Sequence, residues 1–97
     1  MKVNSKMVKR FEDQVQSVSK ALMVLEALAK EPDGIGIIEL SDNLGLNKTT
    51  VYRILTTLMI YQFVEQDKNS GKYLLGLKVL GLANAFLKSK DIRALIR

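Results

Sequence analysis

The side chains best suited to binding chemistry lie together between residues 47 and 57, where basic and hydroxyl groups recur and no acid interrupts them. Arginine can donate two hydrogen bonds to guanine, and threonine offers a hydroxyl and a methyl group to base edges or phosphates. Catalytic chemistry has few candidates, because the chain contains no cysteine and no histidine. It also lacks a paired acidic motif, a phosphate-cradling glycine loop and a nucleophile elbow. We therefore expect no enzymatic activity, no metal site and no cofactor.

The residues that must position this segment have the pattern of a helix-turn-helix. Apolar residues recur at helical spacing on both sides of a short break at Gly45, Leu46 and Asn47. Gly45 lies where the first helix must end, a position that commonly needs positive φ. Leu46 is placed to pack into the corner, and Asn47 is a favourable N-cap for the second helix. Two helices joined this tightly are typical of the motif that inserts its second helix into the DNA major groove.

The second helix, expected over residues 48–61, divides into a core side and an outward side. At 100° per residue, the apolar stripe that faces the core consists of Val51, Ile54, Leu55 and Leu58. The opposite side, its flanks and the cap supply the candidate DNA contacts: Asn47, Lys48, Thr49, Thr50, Tyr52, Arg53 and Thr56. An alternative interpretation is that this side binds a protein partner, so that the domain serves protein interaction and dimerisation.

Before the motif, the sequence predicts a first core helix and a turn. Ser17 or Ser19 supplies a cap for this helix. Its apolar stripe comprises Val18, Ala21, Leu22, Leu25, Leu28 and Ala29. The tripeptide Pro32-Asp33-Gly34 predicts the turn that ends it.

After the motif, the period changes from helix to strand. Residues 63–67 and 72–75 have the composition of two strands, joined by a loop that contains glycine. Lys68 and Lys72 lie where such a hairpin would approach phosphates, although exposed hairpin lysines also occur without a ligand. The predicted fold is therefore mainly α with a small β-hairpin: a winged helix-turn-helix with a three-helix core.

Residues 78–89 return to helical spacing and carry a broad apolar stripe. Val79, Leu80, Leu82, Ala83, Phe86 and Leu87 span roughly 160° of the helix surface, wider than one small domain needs to cover. The excess favours a second copy as partner, and predicts a homodimer or, in a full-length protein, a higher oligomer. Asp91 is placed to cap another helix over residues 92–97, which suggests a fragment of a longer chain.

Composition is that of one folded domain with basic ends. Of the 97 residues, 47% are hydrophobic, and the net charge is +5. This charge is +4 over residues 1–10, −5 over residues 11–67 and +6 over residues 68–97. The basic ends suit phosphate contacts, or simply keep the termini soluble. Neither an apolar run of about 20 residues nor a signal peptide is present, so we expect a cytoplasmic protein without membrane contact.

Three segments resemble the N-terminal DNA-binding domain of the IclR family of bacterial transcriptional regulators. They run from Val15 to Leu22, from Gly45 to Leu55 and from Tyr73 to Gly76. Their order and spacing agree with the family, and the resemblance covers about residues 15–97. The chain departs from the common family pattern at three places, with threonine at Thr49 where serine is frequent, tyrosine at Tyr52 where histidine is frequent, and Gly36 where a capping serine is frequent.

The resemblance implies a dimer that binds double-stranded DNA at a palindromic or near-palindromic operator. It also implies a C-terminal domain that senses a small-molecule effector and lies outside this sequence. On this basis residues 1–14 form a basic arm and residues 15–76 form the winged helix-turn-helix. Residues 77–97 form a linker helix, which corresponds to residues 78–89, and the start of the effector-binding domain.

Overall fold

A computed structural model describes residues 12–89 of the chain. The elements are α1 (Gln16–Ala29), α2 (Ile37–Leu44), α3 (Lys48–Ile60), β1 (Val64–Gln66), β2 (Tyr73–Leu75) and α4 (Lys78–Ser89). This order is the three-helix core, wing and following helix that the sequence predicts. Among these helices, none is long and apolar enough to cross a membrane. Most of the predicted arm and the helix predicted over residues 92–97 lie outside the described residues.

Helix α1 begins without the serine cap that the sequence suggested. Its N-cap residue is Val15, which makes no side-chain cap hydrogen bond. Ser19 Oγ instead donates to Gln14 Oε1 at 2.6 Å, and Ser17 is exposed. The prediction of a cap at either serine is wrong, because the helix has already started at Gln16 and contains both.

The buried side of α1 also differs from the predicted stripe. Val24 and Leu28 are fully buried in the core, and Leu25 is half-buried against it. Val18 and Leu22, which the sequence placed in the core, are 54% and 55% exposed. Helix α1 therefore has two apolar sides, one packed on the helix-turn-helix and one left open.

The core forms where the first three helices meet the inner side of the hairpin. Its members are Val24, Leu28, Ile35, Leu40, Val51, Leu55, Val64 and Tyr73. None of them is more than 6% exposed. Since burying a large aliphatic side chain contributes roughly 1.5–3 kcal/mol, this cluster is the main source of the domain's stability.

The hairpin is a short antiparallel pair that is tied to the turn after α1. Its register places Val64 opposite Leu75. Ile35 N donates to Tyr73 O at 3.0 Å, and Tyr73 N donates to Ile35 O at 2.8 Å. Gly34 has a φ of 93°, and an added Cβ there would lie only 2.9 Å from Lys72 Cβ. The predicted turn before α2 and the wing therefore pack together as one unit.

Close backbone packing forms the joint between the wing and α4. Gly76 N donates to Phe63 O at 2.8 Å, and Lys78 N donates to Gln62 O at 3.1 Å. A Cβ on Gly76 would lie 2.8 Å from Val64 N and 2.9 Å from Phe63 C, so only glycine permits this approach. Helix α4 consequently leaves the domain from a fixed point beside the end of α3.

Helix α4 carries the predicted apolar stripe, and the described part of the chain leaves most of it at the surface. Val79 is half-buried. Leu80 and Leu82 are 56% and 57% exposed, and no residue of this helix is buried. The apolar surface of α4 therefore contributes little to the core of the domain.

Candidate nucleic-acid interface

The turn between α2 and α3 has the backbone that the sequence predicts. Gly45 has a φ of 67°, and its N–H donates to Asp42 O at 3.3 Å. Leu46 N donates to Ser41 O at 3.1 Å, and the Leu46 side chain is half-buried against the core. These contacts close α2 with a left-handed residue and fix the corner from which α3 starts.

Asn47 caps α3, as its residue type and position indicate. Its Oδ1 accepts a hydrogen bond from Thr50 N at 2.8 Å. The first turn of α3 contains no acid, and Lys48 is exposed there. Because a helix N-terminus carries unsatisfied N–H groups and a partial positive charge, this end of α3 is favourable for a nearby anion.

The burial of α3 separates its core side from its outward side. Val51 and Leu55 are fully buried, while Ile54 and Leu58 are half-buried against the core, so the predicted apolar stripe is confirmed. The outward residues Lys48, Thr49, Tyr52, Arg53 and Thr56 are exposed, and Thr50 is half-buried. Thr57 Oγ1 donates to Arg53 O at 2.9 Å, so this hydroxyl is already satisfied within the helix.

On one edge of α3, Arg53 borders an apolar cleft of about 890 Å³. The cleft lies between α1 and α3, and its walls include Val18, Leu22, Leu58 and Leu82. Arg53 is exposed, and no carboxylate in the described part of the chain pairs with it. Its guanidinium is therefore available to an external acceptor.

Away from this cleft, Tyr52 of α3 is 56% exposed. Burial raises the pKa of Tyr73 above its ordinary value, and repulsion from the Tyr52 phenolate raises this pKa further. A phenol is already protonated at neutral pH, so this raised pKa leaves the protonation state of Tyr73 there unchanged.

Asp67 organises the tip of the wing. Its Oδ2 accepts from Ser70 N at 2.9 Å and from Ser70 Oγ at 2.7 Å. These hydrogen bonds, chiefly the one from the Ser70 hydroxyl, lower the pKa of Asp67. Gly71 N donates to Asp67 O, and Asp67 N donates to Lys72 O, both at 2.8 Å. Lys68 and Lys72 are exposed on this ordered hairpin.

The candidate contacts from Asn47 to Thr56 thus share one capped helix, whereas the two wing lysines lie on a separate element. Sequence reasoning missed Lys20, which joins Arg53 at the cleft because α1 packs beside α3. Lys20 has no local signal, since its position depends on packing between distant segments.

A helix-turn-helix with a two-stranded wing and an acid-free outward helix defines a winged helix-turn-helix DNA-binding domain. The sequence model of a protein family, the IclR helix-turn-helix domain, matches residues 17–68, which is more than half of the chain. The chain therefore belongs to the IclR family. The function of this domain is sequence-specific DNA binding in transcription regulation.

Relatives and solved structures agree with this assignment. The HTH-type transcriptional regulator KdgR of Escherichia coli (strain K12) is 41% identical over 80 residues, covering 82% of this chain and 30% of that protein. The glycerol operon regulatory protein of Streptomyces coelicolor is 39% identical over 80 residues, covering 82% of this chain and 32% of that protein. The crystal structure of an IclR transcriptional regulator from Alicyclobacillus acidocaldarius has a TM-score of 0.77 at 35% identity, over 84% of this chain and 33% of that one. The chain spans about a third of the length of these proteins.

Proposed function

We propose that α3 enters the major groove of double-stranded DNA and reads base edges with the side opposite Val51 and Leu55. The observation that carries this proposal is an outward helix side without acids, anchored by two fully buried aliphatic residues. The contacts come from Asn47, Lys48, Thr49, Thr50, Tyr52, Arg53 and Thr56. Arg53 supplies the principal base contact, because no carboxylate of residues 12–89 pairs with its guanidinium, which can donate two hydrogen bonds to guanine.

We assign Lys68 and Lys72 to phosphate contacts made by the wing. Both side chains are exposed, and the hydrogen bonds of Asp67 keep the loop between them ordered. An ordered loop loses little conformational entropy when its lysines meet a phosphate. The basic arm before residue 15 adds further phosphate contacts in this proposal.

We infer that the protein binds DNA as a homodimer. Leu82 on α4 and Leu22 beside the cleft are 57% and 55% exposed, and covering such surface is favourable by about 25 cal/mol per Å². A second copy related by a twofold axis brings the same apolar surfaces and can cover both. Two copies of α3 then face two half-sites, which predicts a palindromic or near-palindromic operator.

For the whole protein we propose a cytoplasmic regulator without enzymatic activity. Residues 15–76 bind DNA, and residues 77–97 lead through α4 into a domain that binds a small-molecule effector. Such a domain could also add contacts that raise the oligomeric state. The named relatives are transcriptional regulators and are about three times as long as this chain, which is consistent with an additional domain.

Selection of bound sequences from a random duplex library tests the DNA-reading proposal. We expect enrichment of an inverted repeat, and an affinity that falls steeply as salt rises, because phosphate binding releases counterions. Failure to enrich any sequence would overturn sequence-specific reading by α3. An affinity that barely changes with salt on any duplex would favour the alternative of a protein-interaction module.

A further inference from the structure

The cleft between α1 and α3 has the size and the walls of a site for a small organic molecule. Its volume is about 890 Å³, and ligand sites in proteins commonly measure roughly 300–1,000 Å³. Its deeper walls are apolar, because four large lining residues are half-buried: Leu25, Ile54, Leu58 and Phe63. Such walls favour the apolar part of a ligand, which leaves water when it enters.

Two cations at this cleft have no anionic partner. Lys20 on α1 and Arg53 on α3 both line it, and none of the lining residues is acidic. Within residues 12–89 neither side chain forms an ion pair. Their own helices offer no acid either, because only glutamine, serine, methionine, valine and threonine stand three or four residues away from them. The cleft therefore carries uncompensated positive charge.

Lys20 also differs from the other lysines in its exposure. It is half-buried, whereas every other lysine between residues 12 and 89 is exposed. An ammonium group that has lost part of its water gains more from a nearby anion than an exposed one, because less solvent screens their attraction. The combination of apolar walls and unpaired cations thus favours a ligand with an apolar body and a negative end.

We propose that this cleft binds an amphipathic carboxylate, a molecule in which an aliphatic chain carries one carboxylate group. The chain lies against the apolar walls, and the carboxylate pairs with Lys20 and Arg53. Apolar walls alone accept any oily molecule, whereas the two cations select one whose polar end is negative. The site belongs to the DNA-binding domain and is separate from the effector-binding domain proposed beyond α4.

Solution NMR of the 97-residue chain, labelled at its leucine methyl groups, tests the site without any substitution. The probe is octanoate, and we expect it to shift the signals of Leu25 and Leu58. The signal of Leu40 should stay in place, because this residue is 0% exposed and does not line the cleft. Unmoved Leu25 and Leu58 signals, or an equal shift at Leu40, would overturn the site.

Two further probes separate the contribution of the chain from that of the charge. Acetate keeps the carboxylate without the long chain and should produce no shifts at the same concentration. Octylammonium keeps the chain and reverses the charge, so we expect octanoate to bind roughly five to thirty times more tightly. Equal affinity for octanoate and octylammonium would overturn the selection of a negative end.

Lys20→Gln tests the cation directly, with Lys30→Gln as the matched control on the same helix. Lys30 is exposed at the C-terminal end of α1 and does not line the cleft. We expect Lys20→Gln to lower the affinity for octanoate by a factor of roughly three to ten, and Lys30→Gln to leave it unchanged. Neither variant should melt at a lower temperature, because neither lysine has an ion-pair partner within residues 12–89. Unchanged affinity in Lys20→Gln would overturn the pairing.

The rim of the cleft overlaps the surface assigned to the dimer. Leu22 and Leu82 line the cleft and are more than half exposed. A second copy that covers them closes the rim and leaves the half-buried walls beneath to the ligand. Octanoate should therefore bind at protein concentrations where sedimentation shows a monomer and where it shows a dimer. Binding that disappears in the dimer would mean that a second copy fills the cleft, and would overturn the proposal.

Arg53 would be shared between this ligand and DNA, a consequence that rests on the proposed function. A guanidinium paired with octanoate cannot also donate to guanine. Octanoate should thus weaken binding to the duplex recovered by random-library selection more than binding to a shuffled duplex of the same length, with acetate at equal concentration as the salt control. Undiminished binding to the selected duplex at saturating octanoate would overturn the pairing with Arg53. If the chain binds neither duplex without octanoate, DNA binding fails, and the methyl signals still decide the cleft.

Discussion

Helices α3 and α4 have similar amphipathic sequences and opposite environments. They are 13 and 12 residues long, and each carries an apolar stripe. In α3, Val51 and Leu55 are fully buried, whereas α4 has no buried residue and its Leu82 is 57% exposed. Periodicity therefore predicts which side of a helix is apolar, but not what covers that side.

The apolar stripe of α3 therefore stabilises the folded domain, whereas the apolar stripe of α4 is available to stabilise association with another surface. The stripe of α3 contributes to folding of the domain, because Val51 and Leu55 are fully buried and Ile54 and Leu58 are half-buried against the core. The stripe of α4 can contribute fully only when another surface covers it. Substitutions in α3 should thus appear in unfolding experiments, and substitutions in α4 should appear in association experiments.

The largest contrast is expected between Leu55→Ala and Leu82→Ala. The first removes a side chain that is 0% exposed, and should lower the free energy of unfolding by about 2–5 kcal/mol. The second removes a side chain that is more than half exposed, and should lower it by no more than about 1 kcal/mol at dilute concentration. Urea unfolding followed by circular dichroism measures both.

The variants Leu55→Ala and Leu82→Ala also distinguish an effect on folding from an effect on self-association. Leu82→Ala should weaken self-association in sedimentation equilibrium, because it removes apolar surface that a second copy covers in the proposed dimer. Equal losses of unfolding free energy in the two variants would remove the contrast between the helices. Unchanged self-association in Leu82→Ala would exclude this part of α4 from the dimer interface.

Next in size is the effect of Arg53→Ala on DNA binding. We expect a loss of about 1–3 kcal/mol on the selected duplex and relaxed discrimination at one base pair, because a bidentate contact to guanine is lost. Lys88→Ala, which removes an exposed cation in the last turn of α4, is the control and should change affinity much less. A gel-shift titration with selected and shuffled duplexes compares them. If Arg53→Ala weakens both duplexes equally, Arg53 contacts phosphate rather than bases.

A smaller effect is expected from the cap of α3. Asn47→Ala removes the acceptor of the Thr50 N–H and should cost about 1 kcal/mol of unfolding free energy. Asn84→Ala removes the same side chain from an exposed interior position of α4, where alanine is the better helix former, and should be neutral or slightly stabilising. Thermal unfolding distinguishes them, and a neutral Asn47→Ala would mean that the turn at Gly45 alone starts α3.

The smallest effect is expected from Gly81→Ala in α4. Apart from its chain neighbours and the backbone of its own helix, no atom of the described residues lies within 4 Å of where its Cβ would be, so the substitution should only improve helix propensity, by about 0.5–1 kcal/mol. Far-UV circular dichroism should show equal or higher helix content and a slightly higher melting temperature. A loss of self-association would instead reveal that a second backbone approaches α4 at this glycine.

The helix-turn-helix was predictable because its signals are local. Gly45 needs only its own backbone freedom to end α2, and Asn47 needs only a neighbouring N–H to cap α3. The side of α3 that faces the core follows from spacing within that one helix. The hairpin was also predicted, with strands one or two residues longer than those observed.

Features that depend on distant segments could not be predicted in the same way. The start of α1 did not follow the serines, because Ser19 bonds to Gln14 instead of capping. Val18 and Leu22 have core-like spacing, yet they border an open cleft, because no described segment covers that side of α1.

The close packing at Gly76 has a consequence for the length of DNA that a dimer can read. In a dimer built through α4, the separation of the two copies of α3 depends on the direction in which α4 leaves this joint. Recognition helices must meet successive major grooves at a centre-to-centre distance of about 34–36 Å. Because the backbone of residues 62–64 leaves no room for a side chain at Gly76, that direction is held within a narrow range. We therefore expect a residue that touches no base to limit how many base pairs separate the two halves of the operator.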